Sequence, residues 1–350
     1  MSDGSGVVSA PPPDLARLAH WLREHVPRIE GLQSATRIVG GNSNPIWRIE
    51  ATSGRYILRT QPAGTLLKSA HALDREVRVL SALQSSAVPV PRLHVFCSDA
   101  SVIGLPFYLM DFVEGTVWRD IRLPGATPAL RRAIYLGALD TLATVHRCDV
   151  AAVGLADFGR PGNYFERQLH RWTQQYRTAM PQGLPALDAL IDRLRTQVPA
   201  DELPPVLLHG DCRLDNLMFA PGSAHVRAVL DWELSTLGHP LADLGQFLGV
   251  QELPADYLMP GLAGVDREAL GIPTQREQAA HYLRAMGLPP DTGLRFFKAF
   301  ALFRQAAMSA GLLRRALEGT AVAGGALAFG RRAHVFALGG LRVLDTPDPA

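Results

Sequence analysis

The chain has 350 residues, enough to bury a large core and to divide into two lobes or domains. It is 47% hydrophobic and 19% charged, as an ordinary globular protein is, and its formal net charge of +2 gives no bulk electrostatic reason to bind nucleic acid. Cys97, Cys148 and Cys212 form neither a CxxC pair nor a zinc spacing, which fits a reducing cytoplasm, and no window reaches the ~20 clean apolar residues of a membrane span.

Residues 1–13 lack the basic start and apolar core of a signal peptide and read as a disordered tail. Asp14 can cap a helix that carries Leu15, Leu18, Ala19, Leu22 and Val26 on one face. Two strands between Thr36 and Glu50 flank a loop containing Gly40, Gly41, Asn42, Ser43 and Asn44. Such a loop can turn backbone N–H groups toward phosphate oxygens, and equally serves as a plain hairpin turn. A third strand, Arg55–Arg59, puts Ile57 and Arg59 on the face opposite Tyr56 and Leu58. A helix over 71–84 follows, with an inner stripe of Leu73, Val77, Leu80 and Leu83 or Gln84. Glu76 points into that stripe, where it either pairs with a buried cation, Arg59 being the natural one, or lies solvated at the edge. Two more strands are expected near 92–97 and 106–112, the second running into a linker, so the lobe boundary falls at 113/114.

From 116 onward the pattern is helical, with helices at 128–146, 163–179 and 185–198, and others near 242–250, 275–287, 291–318 and 321–342. The late ones read as structural layers. His146 reads as a cap or packed side chain. Between these helices lies the most informative stretch, 207–245. An apolar strand end delivers His209-Gly210-Asp211, and Asn216 follows five positions after the aspartate. A hairpin over 217–230 then delivers Asp231. Two carboxylates and an amide on strand-held loops suit phosphate and magnesium chemistry. A metallohydrolase built on His209, Asp211, Asn216, Asp231 and His239 is an alternative, although its histidines are few and poorly spaced.

In this order the elements resemble the protein-kinase-like phosphotransferases, specifically the aminoglycoside phosphotransferase/choline kinase superfamily. His-Gly-Asp-x-x-x-x-Asn stands where kinases carry HRDxxxxN, and Asp231 stands at the metal-binding aspartate of DFG. A narrower likeness lies in HGDCRLDNLMF, VLDWELSTLGHPLADLG and Leu66–Glu76, which look like the phosphotransferase domain fused to acyl-CoA dehydrogenases and its stand-alone bacterial relatives. The resemblance implies an α+β, bilobal, protein-kinase-like fold. Its N-lobe, 14–113, has a five-stranded antiparallel sheet plus helix. Its C-lobe, 114–350, is mainly α-helical with a catalytic-loop hairpin. The implied activity is transfer of the ATP γ-phosphoryl group to a hydroxyl, with Mg²⁺, on a 4-hydroxyacyl-CoA in the narrower branch. An aminoglycoside acceptor, or a catalytically silent nucleotide-binding module, is the alternative.

Carried over residue by residue, the resemblance makes Asp211 the group that accepts or orients the hydroxyl proton. Asn216 and Asp231 hold the metal. Gly40, Gly41, Ser43 and Asn44 cover the phosphates, and Arg59 with Glu76 takes the place of the lysine–glutamate pair. Backbone groups around Met110, Phe112 and Val113 meet adenine. Arg213 lies near the transferred phosphate or is a surface arginine, His209 and Asp243 support the loop, and Cys212 is packed. Arg59 departs from the usual lysine: its permanently charged fork can bridge phosphates and Glu76 but cannot reproduce an ammonium's compact geometry. The arginine-rich stretch 119–177 favours an anionic acceptor such as a CoA thioester over a polycation.

Overall fold

The computed structural model describes residues 12–38, 44–61, 73–160, 162–200, 203–255, 260–317 and 326–346. The expected phosphate contacts at Gly40, Gly41 and Ser43 lie outside the described residues, as does most of the 1–13 tail. The fold is α+β in two lobes. The first comprises α1 (Leu15–His25), β1 (Leu32–Ile38), β2 (Ile46–Ala51), β3 (Gly54–Thr60), α2 (Leu73–Leu83), β4 (Leu93–Cys97) and β5 (Phe107–Asp111). Its five strands form one antiparallel sheet in the order β1-β2-β3-β5-β4. Asp14 caps α1: its Oδ1 accepts from the amides of Ala16 and Arg17 at 3.0 and 3.1 Å, satisfying two of the orphan donors of a helix start.

Alternation along β3 and β5 decides what each sheet face carries. Leu58, Phe107 and Leu109 pack with Leu18 and Leu22 of α1, while Tyr108 joins Leu73, Val79, Leu80 and Leu83 of α2 on the other side. Arg59 pairs in register with Tyr108, so it too faces α2. The buried stripe of α2 is Leu73, Glu76, Val79, Leu80 and Leu83. Val77, expected inside, is only half-buried and Val79 takes the inward place; α2 also packs on the turn at Trp232–Leu234.

The second lobe begins with β6 (Thr116–Val117), α3 (Pro128–His146), α4 (Tyr164–Ala179) and α5 (Pro185–Arg195). Then come β7 (Val206–Leu208), β8 (Leu217–Phe219), β9 (Val226–Val229) and β10 (Thr236–Gly238). The chain ends with α6 (Leu241–Gly249), α7 (Arg267–Leu270), α8 (Gln275–Met286), α9 (Arg295–Leu317) and α10 (Ala326–Asp345). The β8–β9 hairpin is extended by β6, and β7 pairs with β10. These last two pairings are too short to show a sequence period. Every residue of α6 is buried. Gly245 lets α6 meet α9 closely: a Cβ there would lie 2.4 Å from Phe297 O. Phe165 of α4 packs against Phe296, Phe297 and Phe300 of α9 at 5.1–5.3 Å between centroids. Rings buried in this way contribute roughly 1.5–3 kcal/mol each from area alone and fix the helices that border the site.

Candidate active site

β7 ends at Leu208 and the chain turns sharply through His209, Gly210 and Asp211. Gly210 has φ +85°, and a Cβ there would stand 2.3 Å from Leu234 O, so only glycine fits. The turn is held from below by Asp243 in the first turn of α6. Its Oδ2 accepts from His209 N at 2.6 Å and its Oδ1 from Gly210 N at 2.9 Å. Asp243 Oδ2 also meets His146 Nε2 at 3.2 Å. Burial alone would raise the Asp243 pKa, but the His146 hydrogen bond and the charges of His146, His209 and Arg304 outweigh it and leave the carboxyl below the usual aspartate value. His209 Nε2 reaches Leu230 O at 2.7 Å, and its Nδ1 accepts from Asp211 N at 3.2 Å. Both ring nitrogens are thereby spent on the loop. His239 accepts from Leu241 N and stacks on Phe297, so neither histidine is arranged to ligate a metal.

Four side chains converge on the Asp211 carboxylate. Its Oδ2 accepts from Asn216 Nδ2 at 3.3 Å and faces Arg213 Nη2 at 3.3 Å. Its Oδ1 accepts from Gln246 Nε2 at 3.2 Å and Gln305 Nε2 at 3.1 Å. Asn216 Nδ2 also donates to Asp211 O at 2.8 Å, which spends its NH₂ on the loop and leaves Oδ1 as the atom with metal-ligand chemistry. Arg213 Nη2 reaches Asp215 Oδ2 at 3.2 Å as well. Burial would lower the Arg213 pKa, but the carboxylates of Asp211 and Asp215 raise it on balance. Burial likewise raises Asp215, which was not singled out in the sequence. The Cys212 thiol is buried and its pKa is pushed well up by desolvation and by Asp243 and Asp211, as a packed residue rather than a nucleophile requires.

Asp231 follows β9 in the left-handed region, φ +64°, a conformation aspartate tolerates better than most residues. Leu230 N donates to Asn216 O at 2.8 Å, so Asp231 and Asn216 are tied together through backbone. Arg59 spans the lobes here. Its Nη1 meets Glu76 Oε1 at 3.0 Å, and its Nη2 meets Asp231 Oδ1 at 2.9 Å and Glu233 Oε2 at 3.3 Å. Burial would pull the Arg59 pKa down; Glu76, Tyr108, Asp231 and Glu233 overcome this and hold it well above the ordinary arginine value. The expected Arg59–Glu76 pair therefore forms, with Glu76 1% exposed.

The remaining expected residues lie around this centre. Asn44 is 5% exposed, with its Oδ1 buried and lacking a hydrogen-bond partner among the described residues. Met110 is half-buried at the end of β5. Phe112 donates its N–H to Arg55 O at 3.2 Å and lies under the Arg55 guanidinium at 5.0 Å, so its amide is already engaged. Beside the catalytic loop a small, partly open cleft is lined by Arg119, Arg213, Asp215, Tyr135, Phe247 and Gln251, among others.

Two features escaped the sequence reading. Gln246 and Gln305, 1% and 7% exposed, reach the Asp211 carboxylate from α6 and α9. The late helices were expected to be structural layers only, and α9 corrects that. The available signal was an amide side chain beside one charged residue inside mostly apolar runs, LADLGQFLG and FALFRQAAM. Most arginines of 119–177 that seemed to mark an anionic pocket prove to be engaged locally. Arg122 pairs with Asp120, Arg132 with Glu277 and Arg177 with Asp188, and Arg131 bonds carbonyls.

The profile of the phosphotransferase enzyme family matches residues 34–270. A crystal structure from Ralstonia eutropha JMP134, provisionally designated an aminoglycoside phosphotransferase, superposes with TM-score 0.83 at 40% identity over 95% of this chain and 98% of that one. Aminoglycoside phosphotransferase APH(4)-Ia, solved with ADP and hygromycin B, shares the fold at TM-score 0.60 and 15% identity, over 93% and 98% of the two chains. Mouse acyl-CoA dehydrogenase family member 10 is 43% identical over 282 residues, which is 80% of this chain and 26% of that protein. Rat acyl-CoA dehydrogenase family member 11 is 38% identical over 311 residues, 87% and 40% respectively. The chain thus spans less than half the length of these curated relatives.

Proposed function

Since the chain belongs to the phosphotransferase enzyme family, we propose that it transfers the γ-phosphoryl group of ATP to the hydroxyl of a small anionic acceptor, a hydroxyacyl-CoA being the best candidate. The observation that carries this reading is the Asp211 carboxylate fixed by four donors beside the Asn216–Asp231 pair. In this assignment Asp211 receives the acceptor hydroxyl, orients its oxygen for in-line attack and takes its proton. Asn216 Oδ1 and the Asp231 carboxylate, whose side chain is 37% exposed, are hard oxygen donors that fit Mg²⁺. When bound there the ion would neutralise phosphate charge. Arg59 at Asp231 and Arg213 at Asp211 supply fixed positive charge, and catalysis is positioning plus charge neutralisation.

The acceptor class rests on the apolar lining of the cleft and on kinship. The cleft beside Asp211 carries Arg119 and Arg213 against Asp215, with Tyr135, Phe247 and Val250 supplying apolar surface. Arg213 is held by Asp211 and Asp215, so charge there is close to balanced, and it is the apolar surface that suits an acyl chain better than a polycationic aminoglycoside. The two mammalian relatives named above carry acyl-CoA dehydrogenase names.

The test is ADP release and ³¹P transfer with a panel of hydroxyacyl-CoAs and aminoglycosides. We expect turnover of a hydroxyacyl-CoA and near-complete loss in a folded Asp211→Ala variant. Normal turnover in that variant would sink the role of Asp211, and turnover of aminoglycosides alone would overturn the acceptor class. Nucleotide binding with no transfer to any alcohol would indicate a silent nucleotide-binding module.

A further inference from the structure

Three arginines on three different helices gather beside the segment that leads away from Asp231. Arg75 stands in the first turn of α2, Arg171 on α4 and Arg304 on α9. Arg304 is only 6% exposed. It bonds the buried Tyr164 hydroxyl, yet its Nε and Nη2 are buried with no hydrogen-bond partner among the described residues. Arg75 donates to Phe158 O at 3.3 Å and Ser235 O at 3.4 Å, with its guanidinium 4.2 Å over the Phe158 ring. Arg171 is exposed and 5.3 Å over Trp172. Burial and the positive charges of Arg304 and Arg75 pull its pKa below the ordinary arginine value; the Tyr164 phenol acts the other way.

A buried guanidinium with two unpaired nitrogens, beside two further cations, is costly as it stands. The aromatic contacts between α4 and α9 hold it there all the same. An oxyanion would satisfy the open donors and relieve the repulsion, and arginine forks match phosphate and carboxylate geometry. The place of the cluster is equally specific. Arg75 touches Ser235, four residues beyond Asp231, and the Tyr164 ring packs on Gly238, where a Cβ would lie 2.4 Å from it. Arg304 precedes Gln305, whose amide holds the Asp211 carboxylate at 3.1 Å. The cluster therefore lies along the segment from Asp231 to α6, with Arg304 on the helix that also holds Asp211, while the nucleotide phosphates belong with Arg59, Asn216 and Asp231.

We propose that Arg75, Arg171 and Arg304 form an oxyanion subsite for a phosphate or carboxylate group that the acceptor carries away from its reacting hydroxyl. The nature of the carrier rests on the phosphotransferase reading; the oxyanion site itself does not. With the nucleotide site filled by Mg²⁺ and a non-hydrolysable ATP analogue, inorganic phosphate and acetate are titrated into the wild-type chain and into Arg75→Gln, Arg171→Gln and Arg304→Met, and affinity is read from the thermal shift. Loss of one charged contact is worth about tenfold in affinity, so each variant is expected to bind the preferred anion about tenfold more weakly. The exposed Arg75 and Arg171 variants serve if Arg304→Met fails to fold. Preference for phosphate over acetate identifies the source as a phosphorylated carrier, and the reverse a carboxylate.

In turnover, the KM for a hydroxyacyl-CoA should rise about tenfold in the variants while the KM for ATP holds. The matching hydroxyacyl-pantetheine, which lacks the CoA phosphates, should show no such rise if phosphate is the group held. Equal anion affinity in wild type, Arg75→Gln and Arg171→Gln would overturn the subsite. Absence of any hydroxyacyl turnover in the wild type would instead defeat the acceptor reading, and the anion titration would still decide the subsite.

Discussion

At the residue scale, what distinguishes this site is how firmly one carboxylate is held. Asp211 Oδ1 takes amide donors from two helices, and Oδ2 takes an amide and faces a guanidinium. Phosphoryl transfer demands little covalent chemistry of the protein and much positioning. Removing one donor should therefore show in the rate more than in stability. Gln305→Leu keeps the volume within the apolar surroundings of α9 and deletes one hydrogen bond to a charged group. The expected outcome is a fall in kcat of about tenfold, with the KM for ATP unchanged, since such a bond is worth roughly 1.5–3 kcal/mol. Steady-state kinetics with both substrates varied checks it. The convergence of Asp211, Asn216 and Asp231 was legible in the sequence because spacing from a strand end fixes where a loop side chain lands, and the Arg59–Glu76 pair because strand alternation and a helical stripe put both inside. The glutamines were not, because a contact between α9 and residue 211 spans 94 positions and leaves no local pattern.

At the element scale, α6 works as the anvil of the catalytic loop. It is buried along its whole length, and its first turn presents Asp243 to the amides of His209 and Gly210. The Asp243 carboxyl lies below its unfolded value of 3.8. A depressed folded pKa means stability that is fully present above the unfolded value and is lost as pH falls through the folded one. The chain should thus lose stability below about pH 4 partly through this group. In Asp243→Asn that acid-limb dependence should shrink, and midpoint stability near pH 7 should drop by about 3 kcal/mol, because His146 and two amides lose a charged acceptor. Urea unfolding from pH 2.5 to 7 measures both, and an unchanged acid limb would refute the assignment. Sequence periodicity located α1, α3, α4 and α6 within a few residues because their apolar stripes repeat at helical spacing. The strand end at Val206–Leu208 was read from its apolar run, but β10 and α7 were missed because three or four residues carry no measurable period.

At the scale of the whole molecule, Arg59 is one of the places where the lobes are joined. One guanidinium holds Glu76 of the first lobe and Asp231 and Glu233 of the second. The Arg59–Glu76 pair was readable as a requirement, since a carboxylate in a buried stripe needs a cation. The bridge to Asp231 was not, because it depends on how the lobes meet rather than on either lobe alone. A lysine has one compact ammonium and cannot fork to both sides. Arg59→Lys should therefore keep the Glu76 contact and weaken the tie between lobes, seen as faster proteolysis of the native chain without loss of its secondary structure. Arg59→Met removes the cation altogether and leaves Glu76, 1% exposed, without compensation, at a cost of about 3–5 kcal/mol. Arg59→Met with Glu76→Leu should recover most of that loss, because two apolar side chains of similar volume avoid burying any charge. The double variant would be stable and yet unable to hold nucleotide phosphates from the first lobe. Urea midpoints for the two single variants and the double variant, read together with ATP affinity, separate the two roles. If the double variant is no more stable than Arg59→Met, the bridge matters through Asp231 and Glu233 rather than through the buried pair.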